Sequence, residues 1–278
     1  MSRTNVVVVI GVGGMGQAIA RRQGPGRTLV LADFDEKLLT AVAEESRGQG
    51  HTVVTHTVDV SARASVAALA DAAAELGPVV QVAHTAGLSP VQASGKAVLA
   101  VDLLGTALVL EEFGRVIAPG GAGVVIASMA GHMLPGALTP ETERALAHTP
   151  ADDLLALPFL DPDTLSAQEA YPLSKYANRL RVQAASMPWG ERGARVNSIS
   201  PGVISTPMGR QELAGESGRT MRAMVEASGT GRLGTPEDIA AAAAFLLGPD
   251  ASFVTGTDLL ADGGVVAAVR SGRLTRGD

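Results

Sequence analysis

Short runs of branched apolar residues alternate along the chain with longer segments whose apolar positions recur every three or four residues. Val6–Ile10 places five β-branched residues in a row, the pattern of a strand buried on both faces, as in a parallel sheet. Further strand-like runs lie at 28–32, 52–58, 79–83, 123–127, 195–199 and 253–261. Helical spacing fills the intervals at 36–48, 61–76, 97–117, 172–187 and 236–247, with Ser61 as the expected cap of the second of these. Segment 97–117 is apolar nearly all round, so a helix there must be buried or paired with another subunit. Strands alternating with helices at this spacing predict an α/β fold, a doubly wound parallel sheet, in one domain over 1–270. Residues 271–278 read as a frayed tail. Neither an internal repeat nor a linker divides the chain.

Composition changes this picture in two places. The 46% of hydrophobic residues suffices for one large core, and 3% aromatics means that core is built from Val, Leu, Ile and Ala. The formal charge of −6 is not spread evenly: between 132 and 170 seven acids (Glu141, Glu143, Asp152, Asp153, Asp161, Asp163, Glu169) face one base, Arg144, and the remainder balances. Five prolines (Pro135, Pro140, Pro150, Pro158, Pro162) fall in the same stretch, which reads as an inserted, irregular or short-helical excursion. Acidity argues against nucleic acid as a partner. With no cysteine and five histidines that lack ligand-like spacing, no metal site is expected. Arg3 ahead of an apolar run could mimic a signal peptide, but glycines interrupt the run after five residues, so it reads as the first strand. No stretch approaches the roughly 20 apolar residues that span a bilayer, and a cytoplasmic protein is the expectation.

After the first strand comes Gly11-Val12-Gly13-Gly14-Met15-Gly16. Glycines in that place let the backbone turn tightly and approach a pyrophosphate resting on the first turn of the next helix. The second strand ends in Asp33, 17 residues after Gly16. A carboxylate there accepts both ribose hydroxyls of an adenosine and repels a 2′-phosphate, so NAD is expected over NADP. Far downstream, Tyr171 and Lys175 stand four apart and share one helix face. A tyrosine with a pKa near 10 is a poor acid or base at neutral pH, and a neighbouring lysine cation is expected to pull it down.

Taken with Asp59-Val60, the Ala86-Gly87 turn, Ser128-Met129-Ala130-Gly131, the stretch 195–202, Thr206 and Asp262-Gly263-Gly264, these marks resemble the short-chain dehydrogenase/reductase family over nearly the whole chain. The C-terminal third is especially similar to the bacterial 3α-hydroxysteroid dehydrogenase/carbonyl reductase branch. The resemblance implies Tyr171 as general acid/base, Lys175 as its partner and holder of the nicotinamide ribose, and Ser128 as a hydrogen-bond partner of the substrate oxygen. It further implies Asp59 and Val60 at the adenine, Ala86 and Gly87 beside the adenosine ribose, and Pro201, Ile204 and Thr206 along the nicotinamide. Three departures stand out. Ile10 replaces the first glycine of the family's usual loop, Asp102 stands where many members have an Asn that supports a relay water, and 43 positions separate Ser128 from Tyr171.

The leading expectation is an NAD(H)-linked oxidoreductase interconverting a secondary alcohol and a ketone. A nucleotide-binding regulator that has lost turnover, and an epimerase or dehydratase on the same cofactor, remain as alternatives. The segments expected to shape the pocket (88–91, 131–170, 208–229) are mostly apolar or small and hold no paired Arg, which points to a neutral, fairly apolar carbonyl or alcohol substrate. By resemblance, helices 97–117 and 172–187 pair with their copies to give a homodimer or homotetramer. The insertion, with its apolar Leu154, Leu155, Leu157, Phe159 and Leu160, is expected to dock as a lid or rim of the site with its acids in solvent.

Overall fold

The computed structural model describes residues 4–273 apart from 92, 135, 137, 162, 216 and 217. In chain order the first half contains β1 (Val6–Ile10), α1 (Gly14–Gln23), β2 (Thr28–Asp33), α2 (Glu36–Gly48), β3 (Thr52–Thr57), α3 (Arg63–Leu76), β4 (Val79–His84) and α4 (Gly95–Val98). A π-helical turn (Leu99–Leu104) joins α4 to α5 (Gly105–Val116), and β5 (Ile117–Ile126) ends in a 3₁₀ turn (Met129–His132). The second half contains α6 (Pro140–His148), α7 (Ala151–Leu154), α8 (Ala167–Glu191), β6 (Arg195–Pro201), α9 (Pro207–Ala214), α10 (Gly218–Ala227), α11 (Pro236–Leu247), β7 (Asp258–Ala261) and α12 (Val265–Arg270).

The strands form one parallel sheet in the order β3-β2-β1-β4-β5-β6-β7. Alternate side chains of β1 explain its unbroken apolar run: Val6, Val8 and Ile10 enter the core under α3, α5 and α8, whereas Val7 and Val9 enter the core under α1 and α11. The chain reverses its winding between β1 and β4, and the carboxyl ends of these strands open into the crevice where open α/β sheets bind ligands.

Several expected boundaries move. Ser61 does not cap α3; its amide and hydroxyl turn back to Asp59 Oδ1 at 2.9 and 2.6 Å, and the helix begins after Ala62. Helix α8 starts before Pro172, because Ser166 and Glu169 form a reciprocal capping box, so Tyr171 lies inside the helix. The closing strand contracts to Asp258–Ala261, and α12 follows it, its amides at Gly264 and Val266 held by the Asp262 carboxylate. The expected tail opens as a hydrogen-bonded turn, Arg273 N to Ala268 O at 3.1 Å; positions 274–278 lie outside the described residues, as do Pro135, Ala137 and Pro162 of the insertion. Among the described residues no helix is long and apolar enough to cross a membrane, and no group of His, Asp and Glu could hold a metal.

Candidate active site

The glycine segment folds as a cradle with no room for a side chain at two of its positions and a tight fit at a third. A Cβ on Gly11, whose φ is +89°, would lie 2.4 Å from Ala86 N, and one on Gly16 would lie 1.9 Å from Gly11 O. Above Gly14 the limit is the Thr206 methyl, 3.1 Å from a virtual Cβ. Helix α1 starts at Gly14, with Met15 and Gly16 in its first turn, and its N-cap Gly13 brings no side chain to the free amides. An uncapped helix N-terminus lined by glycine backbone suits a pyrophosphate. Thr85 fixes the floor by bonding Gly11 O at 2.6 Å.

Asp33 stands at the end of β2. Its Oδ2 accepts from Val12 N at 2.7 Å and its Oδ1 from Asp35 N at 3.0 Å, which aims the carboxylate at the glycine loop. Asp59 lies just past β3 and gives one oxygen to Ser61; Val60 is buried against Gly105. On the other flank, Pro201 ends β6, Ile204 bridges to Gly234, and Thr206 caps α9 through Gly209 N at 3.0 Å.

Between these flanks the structure brings Ser128, Tyr171, Lys175 and Asp102 together. Lys175 Nζ sits 5.5 Å from the centre of the Tyr171 ring and 3.4 Å from Ile126 O, and the Ser128 hydroxyl hydrogen-bonds the phenol. Asp102 is fully buried in the π-helical turn. Its Oδ1 accepts from Leu88 N at 2.8 Å, while Oδ2 has no hydrogen-bond partner among the described residues and lies 4.0 Å from Lys175 Nζ. The Ala86-Gly87 turn runs against this pair, since a Cβ on Gly87 would meet Asp102 Oδ1 at 2.9 Å and Lys175 Nζ at 3.3 Å.

One electrostatic expectation fails. The Tyr171 phenol is not pulled down; it is pushed above its ordinary value, first by burial and then by the Asp102 carboxylate, with Glu212 acting in the same sense and the Ser128 hydrogen bond opposing. Asp102 faces Lys175 across 4.0 Å and offsets the cation that would otherwise favour the phenolate. Burial also raises Asp102 itself, against the pull of Lys175 and the Leu88 amide. His84, buried at the end of β4, is held neutral, its pKa lowered to about 3 by burial and by Lys175.

Sequence reasoning missed Ser89 and Glu212. The Ser89 hydroxyl donates to the Glu212 carboxylate, joining the loop after β4 to α9 across 123 positions. Helix α9 thus reaches from the glycine loop to that loop and forms one wall of the crevice. The local signal for the helix was present in Thr206-Pro207, a cap followed by proline at the first helical position. The contact itself has no local signature. Helices α6 and α7 of the insertion pack against α5 and α8: Arg181, ten residues past Tyr171 on α8, bonds the last turn of α6, and Tyr176, five residues past it, bonds Glu143 in the first turn of α6.

A family model described as enoyl-(acyl carrier protein) reductase matches residues 11–139 and 162–266. The short-chain dehydrogenase/reductase bsc3 of Alternaria brassicicola is 42% identical over 263 residues, covering 95% of this chain and 96% of its own. The chain belongs to the short-chain dehydrogenase/reductase family. A D-threitol dehydrogenase of Mycolicibacterium smegmatis is 29% identical over 260 residues, covering 90% of this chain and 88% of its own. Among solved structures, levodione reductase superposes with a TM-score of 0.75 at 25% identity, over 97% of this chain and all of the other. A short-chain dehydrogenase/reductase is an oxidoreductase that uses a nicotinamide cofactor on a small molecule, and such proteins commonly form oligomers. The segment the family model passes over, 140–161, contains α6 and α7.

Proposed function

We propose that this oxidoreductase interconverts a secondary alcohol and a ketone, uses NAD(H), and employs Tyr171 as its general acid/base. The observation that carries the reading is the convergence of Ser128, Tyr171 and Lys175 beside the glycine cradle, at the carboxyl edge of the sheet. Glycine backbone at Gly11, Gly13, Gly14 and Gly16 would hold the pyrophosphate, and Asp33 the adenosine ribose. Asp59, Val60, Ala86 and Gly87 would border the adenosine half; Pro201, Ile204 and Thr206 would border the nicotinamide. When bound, NADH supplies the hydride that reaches the carbonyl carbon.

The chain's own residues handle the oxygen. As negative charge gathers there, the Tyr171 hydroxyl gives it a proton and the Ser128 hydroxyl donates a hydrogen bond. Lys175 steadies the phenolate left behind. A phenol held above its ordinary pKa is protonated at neutral pH, the state that ketone reduction requires. Alcohol oxidation runs the same steps backwards and needs the phenolate. Asp102 tunes the balance through Lys175.

Two relatives bear names that fit this pairing of reactions, a D-threitol dehydrogenase and a levodione reductase. Leu88 and Val91 in the loop after β4 and Met208 and Leu213 of α9 favour a neutral, fairly apolar substrate, with the Ser89–Glu212 pair as a polar element between them. The resemblance of the C-terminal third to carbonyl reductases points the same way. The reading is tested by mixing the protein with NADH and a panel of cyclic and open-chain ketones while following NADH fluorescence. Binding followed by consumption supports it; binding with no consumption by any ketone, and no NADH formation from the matching alcohols, overturns it.

A further inference from the structure

Immediately after Ser128 the chain makes the 3₁₀ turn Met129–His132, and three other elements grip that turn. His132 Nε2 donates to Asp258 Oδ2 of β7 at 2.7 Å. Arg179 of α8 ion-pairs with the same oxygen at 3.4 Å, and its Nη1 donates to Gly131 O at 3.4 Å. Arg270 of α12 donates to His132 O at 3.3 Å. The other Asp258 oxygen accepts from the hydroxyls of Ser198 at 2.6 Å and Ser200 at 3.0 Å, which stand two apart and so share one face of β6. The side chains of Asp258 and His132 are close to buried, 7% and 11% exposed.

A carboxylate in that place asks for a reason. Burying it costs free energy that its partners must offset, and an apolar residue on β7 facing α8 would pack there without that cost. What the carboxylate adds is direction. The turn it holds carries the amide of Ala130, which donates to Ser128 Oγ at 3.1 Å, so the place of that hydroxyl follows the place of the turn. With Oγ accepting from Ala130, its proton is left for the Tyr171 phenol. On its other side the turn lies against α8 with no slack: a Cβ on Gly131 would stand 2.7 Å from Tyr176 N and 2.8 Å from Lys175 C. A shift of the turn along α8 therefore moves Ser128 relative to Tyr171 and Lys175. Tyr171, Lys175 and Arg179 recur every four residues on one stripe of α8; the first two face the proposed chemistry and the third holds the turn.

We propose that Asp258 is a positioning residue for the Ser128 hydroxyl, acting through His132 and Arg179 on the turn that follows Ser128. The inference rests on the assignment of Ser128 and Tyr171 made above. The part of these three side chains is not to meet the substrate oxygen but to keep the Ser128 hydroxyl within bonding distance of the phenol while that oxygen takes its proton.

The test is a double-mutant cycle between His132 and Ser128, read as kcat with the ketone of the panel above that the unaltered protein reduces fastest. His132→Leu keeps the bulk and removes the donor to Asp258. It should lower kcat by about tenfold with NADH affinity within about twofold, and by less than about twofold once Ser128→Ala is already present. His132→Gln, whose Nε2 reaches as far as that of histidine, should stay within about threefold of the unaltered chain. A loss confined to stability, or equal factors with and without Ser128, overturns the proposal. If His132→Leu does not fold, Asp258→Asn takes its place in the cycle, with the same outcomes on either side. Where Ser128→Ala itself keeps more than about half of the rate, the reading of Ser128 fails and the proposal falls with it. Where Ser128→Ala is slow and His132→Leu is not, the proposal alone falls.

Discussion

Asp102 is the residue whose chemistry departs furthest from what its place suggests. A neutral amide there would leave the Lys175 cation uncompensated; the carboxylate, 4.0 Å away, offsets it and raises the phenol of Tyr171. Asp102→Asn should therefore move the pH profile of alcohol oxidation to lower pH. The sign follows from the acid involved: a phenol becomes negative on losing its proton, so removing a nearby negative charge favours the deprotonated form. A profile that stays in place, or moves to higher pH, contradicts this account of Asp102. At the opposite end of the crevice, Asp33→Ser should shrink or reverse a preference for NAD over NADP, read as the ratio of the two kcat/KM values. Equal use of both cofactors by the unaltered chain would remove the basis for that preference. The proposed site residues could be picked out in the sequence because each belongs to a local pattern, a strand end, a glycine turn or a helix face. The shift on Tyr171 could not, because burial and Asp102 reach it from elements 69 positions away in the chain.

At the scale of elements, β1, α2 and α11 were legible to the residue, since each carries its own punctuation: glycines after Ile10, Asp35 bonding Lys37 N and Leu38 N, and Thr235 with Asp238 in a reciprocal cap. The π-helical turn was not. Nothing in Leu99–Leu104 distinguishes it from the α-helix on either side, and it is in contact with α8. The insertion was legible as an apolar knot among acids, but its seat was not, because Arg63, Glu111 and Arg181 show no partner until the chain is folded. Its leucines act as core. Leu154→Ala should cost about 2–5 kcal/mol of stability, as for other fully buried leucines. Because α7 sits far along α8 from Tyr171, the KM and kcat of the folded variant should stay within about twofold of the original. Chemical denaturation followed through Trp189, the one tryptophan, which is buried with its indole N–H on Leu110 O, checks the first figure. A loss below about 0.5 kcal/mol, the size of a surface effect, would mean the segment is not docked.

For the molecule as a whole, the proposed reacting groups gather at the carboxyl edge of one parallel sheet, Ser128 from the end of β5 and Tyr171 and Lys175 from α8, and the insertion packs on α5 and α8. The proposed chemistry rests on Tyr171. Its hydroxyl is the group proposed to move the proton, so the direct test is to remove that oxygen and nothing else. In Tyr171→Phe the ring and its packing remain. With a ketone that the unaltered protein reduces, stopped-flow fluorescence gives NADH affinity and the rate of NADH consumption in one experiment. The account predicts affinity within about threefold of the unaltered chain and a consumption rate at least about 100-fold lower, the lower end of what a positioned general acid contributes. A variant that binds NADH normally and keeps more than about a tenth of the rate would contradict the assignment of Tyr171.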